Sequence, residues 1–211
     1  MAISKDLIIT LPDYERIFRV IHGVLLNERG DPLRACMYFS IIGSAILERH
    51  HRIKAEPVFG MAAYRLDGNV MVFAEKKGQS IQATVNGFHS WIEVGGVAVD
   101  FQAPLFKDVG AKQEPAFALA RKMMQKRLDK SSSSVDEMTA SGTHWYSRND
   151  QLRSALLADF VQKPANGDFV EMCVQWYKPT PKRIPESIVI GNQHGHADKV
   201  PLSPARISGA W

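Results

Sequence analysis

The chain is poor in cysteine and has no long apolar run. Only Cys36 and Cys173 stand among its 211 residues. That excludes a disulfide scaffold and any zinc ribbon that needs four thiolates. No apolar window reaches the ~18 residues that would suggest a transmembrane helix. The opening Met1-Ala2-Ile3-Ser4-Lys5-Asp6 lacks the basic start and apolar core of a signal peptide. A cytoplasmic location with both thiols reduced is therefore expected. No Gly-x-Gly-x-x-Gly, Gly-Lys-Ser/Thr or His-Glu-x-x-His occurs, so no phosphate loop or zinc-protease helix is expected, and no cofactor. Excess charge of one sign is also scarce. Twenty-six basic residues face 22 acidic ones, for a net +4 and a pI near 9.1. This balance permits a nucleic-acid or membrane partner but does not argue for one, and neither is expected.

What remains is an ordinary globular composition, 45% hydrophobic and 23% charged. It suits one domain over residues 1–211. Tyr14, Ile17, Phe18, Ile21, Val24 and Leu25 predict a helix over 11–26, with Thr10 as N-cap and Asp13 as its box partner. A second helix is expected from Leu33 or Arg34 to His50. It is apolar or small on every face, the mark of a helix buried at a domain centre, and Cys36 stands at its start. The period then changes to alternation. Strands are predicted over 57–66 and 70–75 around Asp67-Gly68-Asn69, and over 88–94 and 97–102 around Gly95-Gly96. Glu114-Pro115 opens an expected amphipathic helix with Phe117, Ala120, Met124 and Leu128 on one stripe. Residues 129–142 read as a flexible, serine-rich loop. A helix over 151–162, strands over 169–177 and 184–190, and an irregular last twenty residues complete an α+β arrangement, a central helix packed on an antiparallel sheet.

The second hairpin carries the sharpest geometric signal. A two-residue Gly95-Gly96 turn pairs Val94 with Val97 and Ile92 with Val99. Alternation then puts Phe88, Ser90, Ile92, Val94, Val97, Val99 and Phe101 on one apolar face. His89, Trp91, Glu93, Ala98, Asp100 and Gln102 share the other. His89 and Asp100 become diagonal neighbours with Cβ atoms about 7 Å apart, in reach of an imidazole–carboxylate hydrogen bond. A three-residue loop would instead turn Asp100 away. Cys36 belongs to the same argument. A thiol attacks only as the thiolate, which a helix N-terminus and a nearby imidazolium both favour. Cys36, His89 and Asp100 thus read as nucleophile, base and orienter. An oxyanion would need donors: the Cys36 N–H, with Asn27, Gln102 or Tyr14 as candidates for a second. Trp91 is a further pocket candidate.

A Cys opening a buried helix, followed by Phe88-His89-Ser90-Trp91-Ile92-Glu93-Val94 and Val97-Ala98-Val99-Asp100, resembles the transglutaminase-like branch of the papain-like superfamily. The resemblance covers roughly residues 30–105. It implies a Cys-bearing helix on an antiparallel sheet, and acyl transfer from an amide, peptide or thioester through an acyl-cysteine intermediate. A peptide or small acyl compound is the implied substrate.

Each residue also has a plainer reading. Cys36 alone is a small core residue, His89 a strand histidine and Asp100 a strand-end acid. Cys173 reads as an inert strand residue. Arg34-Ala35-Cys36-Met37 departs from the Gly-x-Cys-Trp pattern frequent in the superfamily. This motivates a second reading, a non-catalytic binding module of the same fold. A third is a metal-dependent hydrolase using His194 and His196, two imidazoles in an extended loop that would need a further ligand. The basic run Arg121–Arg127 reads as a solvated helix face.

Overall fold

Thr10 begins the first helix as its sequence demands. Its hydroxyl caps the Asp13 N–H and donates to the Asp13 carboxylate at 2.9 Å, and α1 runs Leu11–Asn27. The computed structural model describes residues 7–191, 194–202 and 205–211. A single 3-10 turn over Pro32–Arg34 leads into α2, Cys36–Ile46, which continues as a short π-helical turn over Leu47–His51. Arg52 ends it in the left-handed conformation at φ 57°. Next come β1 (Glu56–Leu66), β2 (Asn69–Phe73), the small β3 (Glu75–Lys77) and β4 (Ser80–Gln82), then β5 (His89–Val94) and β6 (Val97–Asp100). The second half contributes α3 (Phe106–Gly110), β7 (Met124–Arg127), β8 (His144–Arg148), α4 (Asp150–Val161) and α5 (Pro164–Trp176). The hairpin β9 (Ser187–Gly191) and β10 (Ala197–Pro201) follows. The fold is α+β.

The main sheet is antiparallel, in the order β2-β1-β5-β6-β7, with β8 also on β1. Gly60 of β1 pairs with both His89 of β5 and Arg148 of β8, so these two strands flank β1 on opposite edges. The sheet curls until its ends meet through side chain and loop. The His144 ring bonds the Arg127 carbonyl at 3.0 Å, and Ser132 N–H donates to the His144 carbonyl at 2.8 Å. Curling gives the sheet two buried faces and the molecule two cores. Outside it, Ile92, Val97, Val99 and Phe101 pack under α1, α2 and α5 with Phe18, Phe39, Ile42 and Cys173. Inside the curl, Val58, Tyr64, Trp91, Ala98, Phe106 and Met124 form the second core. The face carrying His89 and Asp100 is therefore as dry as the opposite one.

The helix–sheet contact is close because residue 43 is glycine. A Cβ there would stand 2.8 Å from Cε2 of Phe101 and 2.9 Å from Cδ1 of Ile92. The hairpin is fixed at Gly95 and Gly96, at φ 53° and 81°, the left-handed pair of a two-residue turn. Its register pairs Val94 with Val97 and Ile92 with Val99.

Three expectations fail. Residues 115–128 form no helix. Met124–Arg127 instead pairs with β6 as β7, and Met123 N–H is held by the Gly209 carbonyl at 2.8 Å. The helical spacing of Phe117, Ala120, Met124 and Leu128 is coincidental, and pairing with β6 decides. The basic run is accordingly no helix face: Arg121 pairs with Asp108 at 3.0 Å and Lys122 lies over the Trp211 ring. Residues 169–177 are helical apart from the cap Tyr177, because Pro164 opens a helix that buries Phe169, Cys173, Val174 and Trp176 together. Cys173 therefore belongs to a helix, not a strand, and burial pushes its thiol far up. The last twenty residues are not wholly irregular, since β10 pairs with β9. The serine-rich loop is largely irregular, and it is pinned by the buried Met138.

Candidate active site

Each of the three proposed residues comes from a different element. Cys36 is the first residue of α2, preceded by Ala35, which offers no capping side chain. The first-turn N–H groups of α2 therefore keep their positive end uncapped by any side chain. His89 opens β5 and Asp100 ends β6. All three are buried: Cys36 is 7% exposed, His89 0% and Asp100 1%.

The His89 Nε2 meets Asp100 Oδ2 at 2.7 Å. The same oxygen accepts from the Tyr64 hydroxyl at 3.1 Å, and Oδ1 accepts from the Gln102 N–H at 2.9 Å. The carboxylate is thereby immobilised from β1, β5 and the turn after β6. Phe73 stacks on the imidazole at 4.4 Å between centroids, with Tyr64 edge-on and Phe106 beyond. Nδ1 is buried and has no hydrogen-bond partner among the described residues. Burial works against a charged ring here. The Asp100 carboxylate, with a smaller contribution from the Cys36 thiol, more than offsets it, and His89 is raised to about 9. One ring nitrogen is thus committed to Asp100.

A cleft of about 190 Å³ opens over the pair, lined by Leu33, Arg34, Cys36, Phe73, Val85, Asn86, Gly87, Phe88, His89 and Gln102. Its outer wall is the segment returning from β4. There Gly87 lies against the main chain of Ala74 and Glu75, and Thr84 donates to the Glu75 carboxylate.

The remaining sequence candidates divide. Gln102 lies in the cleft wall, its Nε2 donating to the Pro32 carbonyl at 2.8 Å and so clamping the turn before Cys36. Asn27 does not reach the cleft. It ends α1, and its amide turns to Glu28 at 3.0 Å. Tyr14 points elsewhere. Its hydroxyl donates to the Asp100 carbonyl and accepts from the Met124 N–H at 3.3 Å, tying α1 to β6 and β7. Trp91 faces the inner core, its Nε1 on Glu93 at 2.9 Å and its ring against Tyr146. His194 and His196 flank the β9–β10 turn, and no group of three metal-ligating side chains occurs among the described residues. Sequence reasoning missed Tyr64 and Phe73. Both share the face of His89 because β1 pairs Gly60 with His89 and Ala62 with Phe73, and nothing local in their segments signals that pairing.

The family model described as a protein of unknown function (DUF2026) matches residues 10–211. A crystal structure of a genomics target is 33% identical, with each chain covered over 100% of its length and a TM-score of 0.89. No curated protein matches the chain. Among the described residues, no helix is long and apolar enough to cross a membrane.

Proposed function

We propose that this chain, which belongs to the DUF2026 family, is a cysteine-dependent acyl-transfer enzyme or hydrolase of transglutaminase-like, papain-like type. The observation that carries the reading is the buried His89, fixed by Asp100 through Nε2 and lining the same cleft as Cys36.

In this mechanism His89 holds the thiol proton and leaves Cys36 as the thiolate. The sulfur attacks the carbonyl carbon of an amide, peptide or thioester, forming the C–S bond while the carbonyl π pair moves to oxygen. The α2 N-terminus faces that developing charge, with the Cys36 N–H and a Gln102 amide hydrogen as donors. Collapse of the intermediate breaks the bond to nitrogen or to the leaving sulfur, and the imidazolium gives its proton to the leaving group. Water or an amine then attacks the acyl carbon as neutral His89 accepts its proton, and collapse breaks the C–S bond, releases the acyl product and returns Cys36 as the thiolate beside protonated His89. Asp100 stays ionised throughout and keeps the ring in one tautomer.

The test is site-resolved alkylation by iodoacetamide at neutral pH, followed by mass spectrometry. Cys36 labels much faster than Cys173, and His89→Ala slows Cys36 by at least about tenfold, the worth of one pH unit. Acyl-enzyme is then sought by mass on a panel of thioesters and amides, with Cys36→Ala as the blank. Labelling of Cys36 as slow as Cys173, unchanged by His89→Ala, defeats the reading.

A further inference from the structure

Among the residues that line the cleft, Arg34 is the one permanent charge, and no carboxylate lines it. Arg34 lies in the turn two residues before Cys36, so the backbone that sets the nucleophile also sets the guanidinium. Gln102 fixes that turn through the Pro32 carbonyl at 2.8 Å. The Asp31 carboxylate is spent on capping the turn, accepting from the Leu33 N–H at 3.0 Å. The Arg34 side chain has no hydrogen bond or ion pair among the described residues. It is exposed, and the rest of the lining combines apolar Leu33, Phe73, Val85 and Phe88 with the uncharged amides of Asn86 and Gln102.

From this arrangement we infer that Arg34 selects the substrate: the site takes a small acyl donor carrying an anionic group, which Arg34 holds while the carbonyl is presented to Cys36. This rests on the acyl-transfer reading above. The cleft supports smallness as well as charge. Its volume of about 190 Å³ falls below the ~300–1,000 Å³ usual for drug-sized ligands, so the group held inside it is one compact acyl group. A guanidinium at the rim of a cleft with no carboxylate attracts an anion and fixes its orientation. A neutral analogue of the same size gains neither.

The charge preference can be read without knowing the natural substrate. Iodoacetate and iodoacetamide undergo the same reaction at Cys36: the C–S bond forms, the C–I bond breaks, and iodide leaves with the electron pair. They differ in one negative charge. The ratio of their rates at Cys36, normalised to the same ratio for a free thiol in solution, measures anion selection. In the unmodified protein the normalised ratio exceeds one. Arg34→Ala lowers the iodoacetate rate by about fivefold, as suits a rim charge in partial contact with water. It leaves the iodoacetamide rate within about twofold. Arg34→Lys retains part of the preference. Arg34 is exposed, so these variants are expected to fold, and the iodoacetamide rate reports that they do. Equal loss of both rates, or an unchanged ratio, overturns the selection by Arg34 and leaves the thiol chemistry standing. Slow iodoacetamide labelling of the unmodified protein overturns the acyl-transfer reading and this inference together.

Discussion

Replacing Asp100 by asparagine probes the His89–Asp100 pair, and the structure supplies the magnitude. His89 is raised from 6.5 to about 9. A group whose folded pKa lies above its unfolded value stabilises the fold fully below the unfolded value. That stability is lost as pH rises through the folded one. The window is therefore pH 6.5 to about 9, and at about 1.36 kcal/mol per pH unit the loss across it is about 3 kcal/mol. In Asp100→Asn the carboxylate that raises the ring is gone, while burial still disfavours charge, so the fall across this window disappears. The substitution also has a constant cost. One carboxylate oxygen becomes an amide nitrogen and must face a donor, either the Gln102 N–H or the His89 and Tyr64 pair. That cost is about 1–3 kcal/mol and does not vary with pH. His22, His51 and His144 are all lowered, with burial the largest cause, so their contributions change below pH 6.5 and outside the window. Lys126 is lowered as well, but both proteins carry it and it cancels in the difference. Urea unfolding of both proteins at pH 6.5, 7.5 and 9 gives the measurement. The variant lags by about 3 kcal/mol more at pH 6.5 than at pH 9. Parallel stability curves for the two proteins would refute the charged pair.

Two further substitutions test how the site is held. Gly43→Ala places a Cβ hard against the ring edge of Phe101 and 2.9 Å from Ile92 at the α2–sheet contact. It destabilises by about 1–3 kcal/mol as overpacking, read as a lower urea midpoint with an unchanged slope, and an unshifted midpoint would show that the contact yields freely. Tyr14→Phe removes the hydroxyl that serves both the Asp100 carbonyl and the Met124 N–H. It costs about 1–3 kcal/mol as unmet buried groups, while iodoacetamide labelling of Cys36 in the native state stays near the unmodified rate; a fall in that rate greater than about tenfold would make Tyr14 part of the reactive site.

The hairpin was legible because its turn is local. Gly95 and Gly96 determine the loop length, loop length determines register, and register puts His89 and Asp100 on one face. The first helix was legible from its period and its Thr10 cap, and the Cys36 helix from a run that is apolar or small on every face, signals that lie within each segment. The errors fall where distant chain decides. Met124 and Gln125 are buried strand residues only because β6 lies beside them, and Gln125 further binds the main chain of Ile8 and Ile9. The segment 169–177 alternates well enough to pass for a strand, and Pro164, five residues before it, was the overlooked helix start. Asn27 stands near Cys36 in sequence, yet the turn at Pro32–Arg34 separates it from the cleft. Short sequence distance was the wrong guide there. Gln102, sixty-six residues from Cys36, is the candidate that reaches the wall.

Burial sets the conditions under which the His89–Asp100 pair is tolerated. An exposed imidazole–carboxylate contact contributes only about 0–1 kcal/mol. A buried one is tolerated when its remaining hydrogen-bonding capacity is met, since an unpaired buried polar atom costs about 1–3 kcal/mol. Asp100 satisfies this rule: both oxygens are engaged, by His89, Tyr64 and the Gln102 N–H. His89 breaks it at one atom. Its Nδ1 is buried, without a hydrogen-bond partner, on a ring that borders the cleft beside Cys36. The Nδ1 of His144, away from the cleft, is buried and without a hydrogen-bond partner among the described residues as well, so that feature alone does not mark a base. What sets His89 apart is that its ring is held by Asp100 at 2.7 Å and lines the same cleft as Cys36.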